Sequence, residues 1–564
     1  APHPEYGWPV RLAALVVVTA AGCASYYEKQ ADEVATDVLH AGREYVLPED
    51  RRAFEVTYRP FERTEDGAIL AAGKRIEVRP GGETTDLSPN DALRIAIVAN
   101  RELQDRKEAL YSAALAVASG RRGWNHPLLA GPISGDYFDS RTAGGGETSE
   151  ATGSAAASLT QRFVDGGILT VGTALDLAVD TLAGGTVAQS LLEANFTQPL
   201  LRGAWRGFAY EDQYRRERDF LLRLLAYERF RQTLAADIVT RYYLVLQQRD
   251  ELQNEQANIE RLGRSVALTR ALAAGGEVSQ IDLDQAVQNL LEARIRHETN
   301  VQNYENLLDR FKITLGLPLQ ANVELDTGAL AALKERGKKE IPIEEKNAIL
   351  VALASRPDVL QERAVVRDTA RNVEIAADQF LPALDMELGL SAPGTPPNEW
   401  WRIRFHEQTR TAGLRLRYNI DQTENRDQYR NAQLEWARSR RDLNRFTDQV
   451  RLDVREAYRE LLRADRSYEL QQENVRTARR RTRLAEIEQE QGEASVRDVL
   501  EAQDALRRAQ NGLTQTLISY MTTRLNFLAT LGMIRVDGEG RIHEPTDPLE
   551  YEQLKQRYEY LAAG

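Results

Sequence analysis

One short motif occurs twice in this chain of 564 residues, and no other feature constrains the fold as strongly. It reads Gly-Glu-x-Ser-x-x-Asp followed by Leu or Val, and it spans residues 276–283 and 492–499. A glycine can adopt the positive φ that ends one helix. A serine three residues later can cap the next helix, and an acidic residue three positions further on completes a capping box. Each copy therefore predicts a tight turn between two antiparallel helices. The capping pairs would be Ser279 with Asp282 and Ser495 with Asp498.

The two copies belong to a longer internal repeat with a constant offset of 216 positions (492 − 276). After the motif, the offset pairs Leu315-Gly316 with Leu531-Gly532. Apolar residues also recur at every seventh position along both arms of each unit, which is typical of coiled-coil seams. The outgoing arms span about 206–274 and 424–490. At 1.5 Å per residue each would be roughly 100 Å long, so the chain contains the same long helical hairpin twice.

Segments that alternate between apolar and polar residues precede each long arm, at about 168–200 and 382–420. Each segment predicts two strands with one apolar and one polar face. An ordinary half-buried sheet and a transmembrane barrel both fit this alternation. Four strands per chain cannot close a barrel, because the smallest barrels have about eight. If the chain spans a membrane, it must therefore oligomerise. Residues 125–165 are compatible with one further strand.

Composition excludes some classes of function. The net charge is −12, which argues against nucleic acid as a partner. The chain has six histidines and one cysteine, without the spacing of a metal site and without a nucleotide-binding loop. Its acidic residues are spread along helical surfaces, where the usual interpretation is a solvated face. We therefore expect neither an enzyme nor a cofactor. Beyond Cys23 no apolar run reaches the length of about 18 residues that a transmembrane helix needs, so none is predicted.

The segment 1–23 has the pattern of a secretory signal. Arg11 precedes a short apolar run that ends in small residues before Cys23. The only cysteine of the chain thus lies where a lipoprotein signal places the lipidated residue. The alternative is a lone, unmodified cysteine. We expect lipidation of Cys23, and an intramolecular disulfide is impossible without a second cysteine.

These features predict a mainly α fold with β, built from a duplicated unit of two strands and a long helical hairpin. The predicted segments are a signal at 1–23, an N-terminal extension at 24–87, a first repeat at 88–320, a linker at 321–344, a second repeat at 345–535 and a C-terminal tail at 536–564. The helical hairpins cover about 206–317, with the tip at 275–282, and about 424–532, with the tip at 491–498. A shorter helix opens each repeat, at about 90–119 and 345–379.

Three features together resemble the TolC-like outer-membrane efflux proteins. They are the duplicated tip motif, the Leu-Gly that closes each return arm, and the run Thr197-Gln198-Pro199-Leu200-Leu201-Arg202 that enters the first long helix. The resemblance covers roughly residues 88–535. It implies a homotrimer with a 12-stranded β-barrel in the outer membrane and a long α-helical barrel that reaches into the periplasm. Such a trimer forms a continuous exit duct for an inner-membrane transporter, joined through a periplasmic adaptor. Ala24 after Cys23 also resembles bacterial lipoproteins sent to the outer membrane.

The resemblance also implies roles for acidic residues at the tips. Asp498 and Glu501 match a ring that narrows the pore, and Asp282 matches an aspartate that holds the tip closed. The tyrosine and arginine partners of that aspartate are replaced here by Gln489 and Ala494. Helix capping is the competing interpretation of Asp282 and Asp498, whereas Glu501 has no capping duty.

Small or apolar residues at the exposed turns would leave shallow grooves between the hairpins. We expect the hairpin of an adaptor to dock there. The docking residues would be Gly276, Val278, Ser279, Gly492, Ala494 and Ser495.

Two functions are compatible with the sequence. The first is the exit duct of a tripartite efflux or type I secretion system. The alternative is a periplasmic coiled-coil adaptor or a structural protein. Adaptors usually carry one hairpin per chain, flanked by lipoyl-type β-domains, so the duplicated hairpins and the strands at the ends away from the tips favour the duct. The sequence names neither the cargo nor the partner pump.

Overall fold

The computed structural model describes residues 24–46, 69–71, 74–76, 85–141, 147–180, 186–276, 278–338, 343–395, 399–491, 495–536 and 542–543. Within them two long helical hairpins connect to one antiparallel sheet, and shorter helices pack against the long ones. The predicted fold class, mainly α with β, is confirmed. The signal with Cys23 and the end of the C-terminal tail lie outside the described residues.

The helices of the described chain are dominated by two very long ones, α5 and α10. The α-helices are α1 Ala24–Val46, α2 Pro89–Ala99, α3 Arg101–Asn125, α4 Arg206–Ala209, α5 Glu211–Ala274, α6 Gln280–Leu315, α7 Gly328–Arg336, α8 Glu345–Ser355, α9 Pro357–Asp378, α10 Thr423–Glu490 and α11 Val496–Thr530. A short 3₁₀ helix covers Phe405–Glu407. The 64 residues of α5 and the 68 of α10 occupy the two predicted outgoing arms.

The long helices form one layer that is four helices wide. Toward the tips, the order across the layer is α6, α5, α11 and α10. Toward the sheet, the order is α3, α5, α9 and α10. The helix α10 therefore lies at one edge of the layer over its whole length, whereas α3 and α6 share the other edge.

The helix that opens each repeat is broken once, although the sequence predicted it to be continuous. Asn100 separates α2 from α3, and Arg356 separates α8 from α9; both have extended backbone with ψ of 121°. The side chain of Asn100 caps α3 by accepting a hydrogen bond from its first turn, at 2.9 Å. Pro357 opens α9, where a missing N–H does no harm.

The Leu-Gly at the end of each return arm lies against these breaks. Gly316 has a φ of +80° and Gly532 a φ of +73°. A Cβ added to Gly316 would overlap the carbonyl oxygen of Ala99. Asn100 Nδ2 also donates a hydrogen bond to the carbonyl of Thr314 at 2.8 Å. Glycine is required here because it allows both the positive φ and the close approach of two backbones.

Within the described residues, the strands fall into one large sheet and three small pairs. They are β1 Ile69–Ala71, β2 Lys74–Ile76, β3 Thr85–Leu87, β4 Leu128–Ala130, β5 Ile133–Arg141, β6 Glu147–Arg162, β7 Ile168–Asp180, β8 Thr186–Pro199, β9 Val323–Leu325, β10 Ala383–Thr395, β11 Glu399–Ile403, β12 Thr409–Arg417, β13 Arg535–Val536 and β14 Ile542–His543. The small pairs are β1 with β2, β13 with β14 and, in parallel, β3 with β9.

The large sheet is antiparallel and six strand positions wide, whereas the sequence predicted four strands. Its order is β5, β6, β7, β8, β10 and β12, with β4 extending the β5 edge and β11 the β12 edge. The four predicted strands correspond to β7, β8, β10 and β12. The hairpin of β5 and β6 was not resolved from the sequence because β6 consists mainly of Ser, Thr, Ala, Gly and Glu, which alternate weakly. We call residues 128–162 the edge hairpin.

The sheet has one apolar and one polar face, as the alternation predicted. Leu175 of β7 and Phe196 of β8 belong to the apolar face, which continues through the register into Leu388 of β10. On the polar face Arg415 and Arg417 of β12 form ion pairs with acidic residues of β10, at 2.8 and 2.9 Å. Both faces therefore run across the whole sheet.

The N-terminal extension contributes α1, which packs on α3 and α5. Leu39 of α1 is buried with Leu103, Leu110 and Phe220 in one cluster. The hydroxyl of Tyr111 donates a hydrogen bond to the carboxylate of Asp32 at 2.5 Å. The first part of the extension is thus an integral part of the helical layer.

Candidate functional site: the hairpin tips

The first tip has the geometry that its motif predicts. Gly276 has a φ of +77°, and its Cα hydrogens face open space. Ser279 Oγ accepts a hydrogen bond from the backbone N–H of Asp282 at 3.3 Å and donates one to its carboxylate at 2.6 Å. The carboxylate of Asp282 is therefore bound within its own tip. Val278 is half-buried, and Gly276 and Ser279 are exposed.

The second tip contains a complete capping box. Ser495 Oγ accepts a hydrogen bond from the backbone N–H of Asp498, and the Asp498 carboxylate accepts from the Ser495 backbone N–H at 3.0 Å. Hydrogen bonds from Ser495 hold the pKa of Asp498 below its ordinary value, and the nearby cations Arg497 and Arg481 act in the same direction. Asp498 therefore remains ionised well below neutral pH. Gly492 and Ala494 lie outside the described residues.

Glu501 lies one turn beyond the capping box and has a partner that the sequence analysis did not identify. Arg481 Nη2 of α10 lies 3.0 Å from Glu501 Oε1 of α11. Both side chains are more than half exposed, so the ion pair is screened by solvent. Within one chain, the positive charge of Arg481 on α10 therefore balances the negative charge of Glu501 on α11.

The two tips of one chain are in contact. Arg497 donates a hydrogen bond to the side chain of Gln285 at 3.4 Å, which links the second tip to the first. Above this contact Leu500 of α11 is buried against Leu262 of α5 and Ala293 of α6. Asp282, Asp498 and Glu501 thus lie at the same end of the molecule.

Ile281 is a candidate docking residue that the sequence analysis missed. It follows the cap of α6 at the exposed end of the first hairpin and is itself 78% exposed. Its signal in the sequence is a large apolar residue between Gln280 and Asp282 in the first turn of α6.

The two edge helices carry exposed apolar residues along their length. On α10, Leu434, Leu452 and Leu470 recur at every fifth turn of the helix and are 44%, 45% and 73% exposed. On α6, Ile295 and Ile313 have the same spacing and are 67% and 61% exposed. Each stripe therefore lies on one side of its helix. The heptad analysis followed the buried seams and so did not identify these outer stripes.

The described residues contain neither a candidate metal site nor a candidate membrane-spanning helix. No group of three or more His, Cys, Asp or Glu is arranged to hold a metal ion. No helix in the described part of the chain is both long and apolar enough to cross a bilayer.

Sequence comparison identifies the second repeat. Residues 348–533 match the family model of the outer membrane efflux proteins. The second repeat is thus similar in sequence to this family. The first repeat is its internal duplicate at the offset of 216 positions (492 − 276), so the resemblance drawn from the two tip motifs is confirmed. No curated protein sequence matches the chain.

Solved channel structures share the fold over most of their length. The outer membrane channel CmeC of Campylobacter jejuni aligns with a TM-score of 0.57 at 15% identity, covering 83% of this chain and 89% of its own. VceC of Vibrio cholerae aligns with a TM-score of 0.58 at 13% identity, covering 79% and 96%. The open state of MtrE of Neisseria gonorrhoeae gives 0.58 at 12% identity, covering 79% and 88%. Over the aligned part, this chain therefore has the fold of these channels.

Proposed function

We propose that three copies of this chain close into an outer-membrane exit duct. The duct would receive cargo from an inner-membrane transporter through a periplasmic adaptor. The family model that matches the second repeat is that of the outer membrane efflux proteins. It is a family of channel proteins, and we propose no catalytic activity for this chain. Lipidation of Cys23 would add an anchor in the same membrane.

The pair of apolar edges carries this proposal. A single chain forms a layer with two open edges, and each edge exposes a stripe of large apolar residues, on α6 and on α10. If copies are arranged in a ring, the α10 edge of one copy meets the α6 edge of the next, and both stripes become buried. A closed ring is the arrangement that leaves no edge exposed.

The tips are the proposed docking surface for the adaptor. Ile281 offers an exposed apolar anchor at the end of the first hairpin, and a Cβ at Gly276 would meet no atom within 4 Å. A partner helix can bind through a few such apolar anchors. Val278 and Ser279 precede Ile281 in the first tip and Ser495 caps the second, and we place docking on them as well.

One experiment tests both the oligomer and the docking surface. Purified in detergent, the full chain should have the mass of a trimer. Ile281→Glu should abolish transport of a fluorescent cargo in cells that contain the cognate transporter and adaptor. It should leave the trimer intact, because an acidic residue in the first turn of a helix is favourable. Leu319→Glu is the matched control, since Leu319 is 49% exposed and lies beyond the opposite end of α6.

The control should retain both transport and trimer mass. A folded, membrane-inserted monomer would overturn the duct. Full transport by Ile281→Glu with an intact trimer would contradict docking at the tips but would not contradict the proposed duct.

We also propose that the acidic residues of the second tip make the pore cation-selective. Three copies would bring three Asp498 and three Glu501 carboxylates around one axis, where they focus a negative field. The ion pair with Arg481 reduces the contribution of Glu501 within each copy. Glu501→Gln should therefore lower the cation preference, and Arg481→Gln should raise it.

Reversal potentials in planar bilayers would measure this pair of opposite shifts. Because hydrogen bonding lowers the pKa of Asp498, part of the cation preference should persist at pH 5. The same shift means that the stability contributed by this cap is present at neutral pH and is lost only as the pH falls through the lowered pKa. Equal reversal potentials for the wild type, Glu501→Gln and Arg481→Gln would rule out a role of Glu501 in selectivity.

A further inference from the structure

The edge hairpin occupies the side of β7 that four strands would have left free. Strands β6 and β7 are paired over a continuous ladder, from Glu150 opposite Asp180 to Arg162 opposite Ile168. A neighbouring copy cannot add a strand to this side of β7 unless that ladder is first broken. The free edge on this side of the sheet is instead β5, extended by β4.

The edge hairpin continues the apolar face of the sheet in phase. Ile133 lies opposite Ala155, which lies opposite Leu175 of β7. Residues directly opposite each other point to the same side of a sheet. Ile133 is 84% exposed, and Leu129 and Tyr137, four positions away on either side, are also exposed. A hairpin that lay outside the sheet in the periplasm would have no reason to expose large apolar residues in this register.

The polar face continues in phase as well. Ser134 Oγ and Ser154 Oγ are hydrogen-bonded at 2.7 Å, and Ser154 lies opposite Asp176 of β7. A concave depression of about 380 Å³ is lined mainly from this side, by Ser134, Asp136, Thr152, Ser154, Asp176 and Gln189 among others. The edge hairpin therefore has an exposed apolar side and a polar side, as the rest of the sheet does.

The strands of the edge hairpin are long enough to cross a bilayer. A transmembrane strand needs about 9–11 residues when tilted. Strand β5 has 9 residues and β6 has 16, against 13 in β7 and 9 in β12. The strands at all six positions of the sheet are therefore long enough to cross a bilayer, are paired in continuous register and have one apolar and one polar face.

Two free edges remain, β5 and β12, and they are complementary in direction. The six positions alternate strictly, so β12 of one copy would run antiparallel to β5 of the next. All of β12 is exposed, including Leu414 at 70% on the apolar face. An unpaired strand edge in lipid leaves each backbone N–H and C=O without a partner, which costs several kcal/mol per group. Pairing with a second copy removes that cost at both edges.

We propose that β12 of each copy pairs with β5 of the next, so that a trimer encloses 18 strands rather than 12. The proposal rests on the trimeric duct proposed above and specifies how its sheet closes. Barrel diameter grows roughly linearly with strand number, so the barrel would be about 1.5 times as wide as a 12-stranded one. The helical part remains four helices per copy.

Disulfide cross-linking of the full chain in detergent tests this pairing. Ile133→Cys is combined, one variant at a time, with Cys in place of Arg410, Ala412, Leu414 or Leu416, which share the apolar face of β12. The spacing of two residues covers the possible registers on one face. Opposed residues in an antiparallel pair have Cα atoms about 4.5–5.5 Å apart, within reach of a disulfide. The matched series replaces Ile133→Cys with Leu175→Cys on β7, and single-cysteine variants measure the background from Cys23.

We expect at least one Ile133 combination to yield dimers and trimers on denaturing gels after oxidation, and no Leu175 combination to do so. Cross-linking through Leu175 would show that β7 meets the next copy and that the barrel has 12 strands. A trimeric mass without cross-linking in either series would show that the edges do not pair. Both results overturn the 18-stranded closure and leave the proposed function in place. A monomeric mass would overturn the duct itself.

Discussion

Replacing Gly316 with alanine should be among the most damaging single-methyl changes in this chain. Gly316 ends the return arm with a φ of +80°, which costs an alanine about 1–2 kcal/mol. The added Cβ would also overlap the carbonyl oxygen of Ala99, and this atom belongs to the backbone and cannot rotate away. Overpacking of this kind costs about 1–3 kcal/mol more. We expect the free energy of unfolding to fall by about 2–5 kcal/mol in total. The shift of the denaturant midpoint at which helix is lost would measure this change.

Two glycines in the same chain separate the two causes. Gly276→Ala has a similar φ of +77° but nothing within 4 Å of the new Cβ, so it should show the cost of φ alone. Gly532→Ala has a φ of +73° and a Cβ 3.1 Å from Arg356 Cα, so its effect should be intermediate. The expected order of destabilisation is Gly316, Gly532, Gly276. If Gly276→Ala is as damaging as Gly316→Ala, the close approach to Ala99 contributes nothing.

The long-range role of these glycines could not be predicted, although their position could. The repeat identified Leu315-Gly316 and Leu531-Gly532 as the ends of the return arms. It did not reveal what they touch, because each contact joins residues about 170–220 positions apart. The helix breaks at Asn100 and Arg356 were also missed, although the second had a local signal. Pro357 disfavours helical backbone at Arg356, the residue before it.

The tips show the same division between local and distant interactions. Both caps were predicted, because Ser495 and Asp498 are three positions apart and interact through their own turn. The ion pair of Arg481 with Glu501 was not, because it crosses between two antiparallel arms. The edge hairpin was anticipated only as one further strand within residues 125–165, for a different reason. Its strands are rich in small residues, so their alternation becomes visible only when they are paired with β7.

The other large effect should come from Glu255, a charged residue that is only 1% exposed in the middle of α5. Its carboxylate accepts hydrogen bonds from Arg507 of α11 at 3.1 Å and from Arg296 of α6 at 3.4 Å. It therefore connects three helices and both repeats, well above the first tip. Removing one partner of a buried ion pair costs about 3–5 kcal/mol, because the other charge stays buried. For Glu255→Ala we expect the free energy of unfolding to fall by about 3 kcal/mol, the lower end of this range. The reason is that Arg507 keeps its ion pair with Asp504 at 2.7 Å.

The internal repeat suggests a milder substitution at the same position. Glu255 corresponds at the repeat offset to Gln471, whose amide bonds to a backbone carbonyl instead of an ion. Glu255→Gln keeps the shape and one acceptor oxygen, so it should lose only part of the stability, about 1–2 kcal/mol. Glu298→Ala removes a charge that is 84% exposed on the same layer and should change stability by less than about 0.5 kcal/mol. Hydrogen exchange along α11 should report the loss locally, with the amides near Arg507 exchanging faster than those near Phe527. If Glu255→Ala and Glu298→Ala have equal midpoints, Glu255 does not hold the two repeats together.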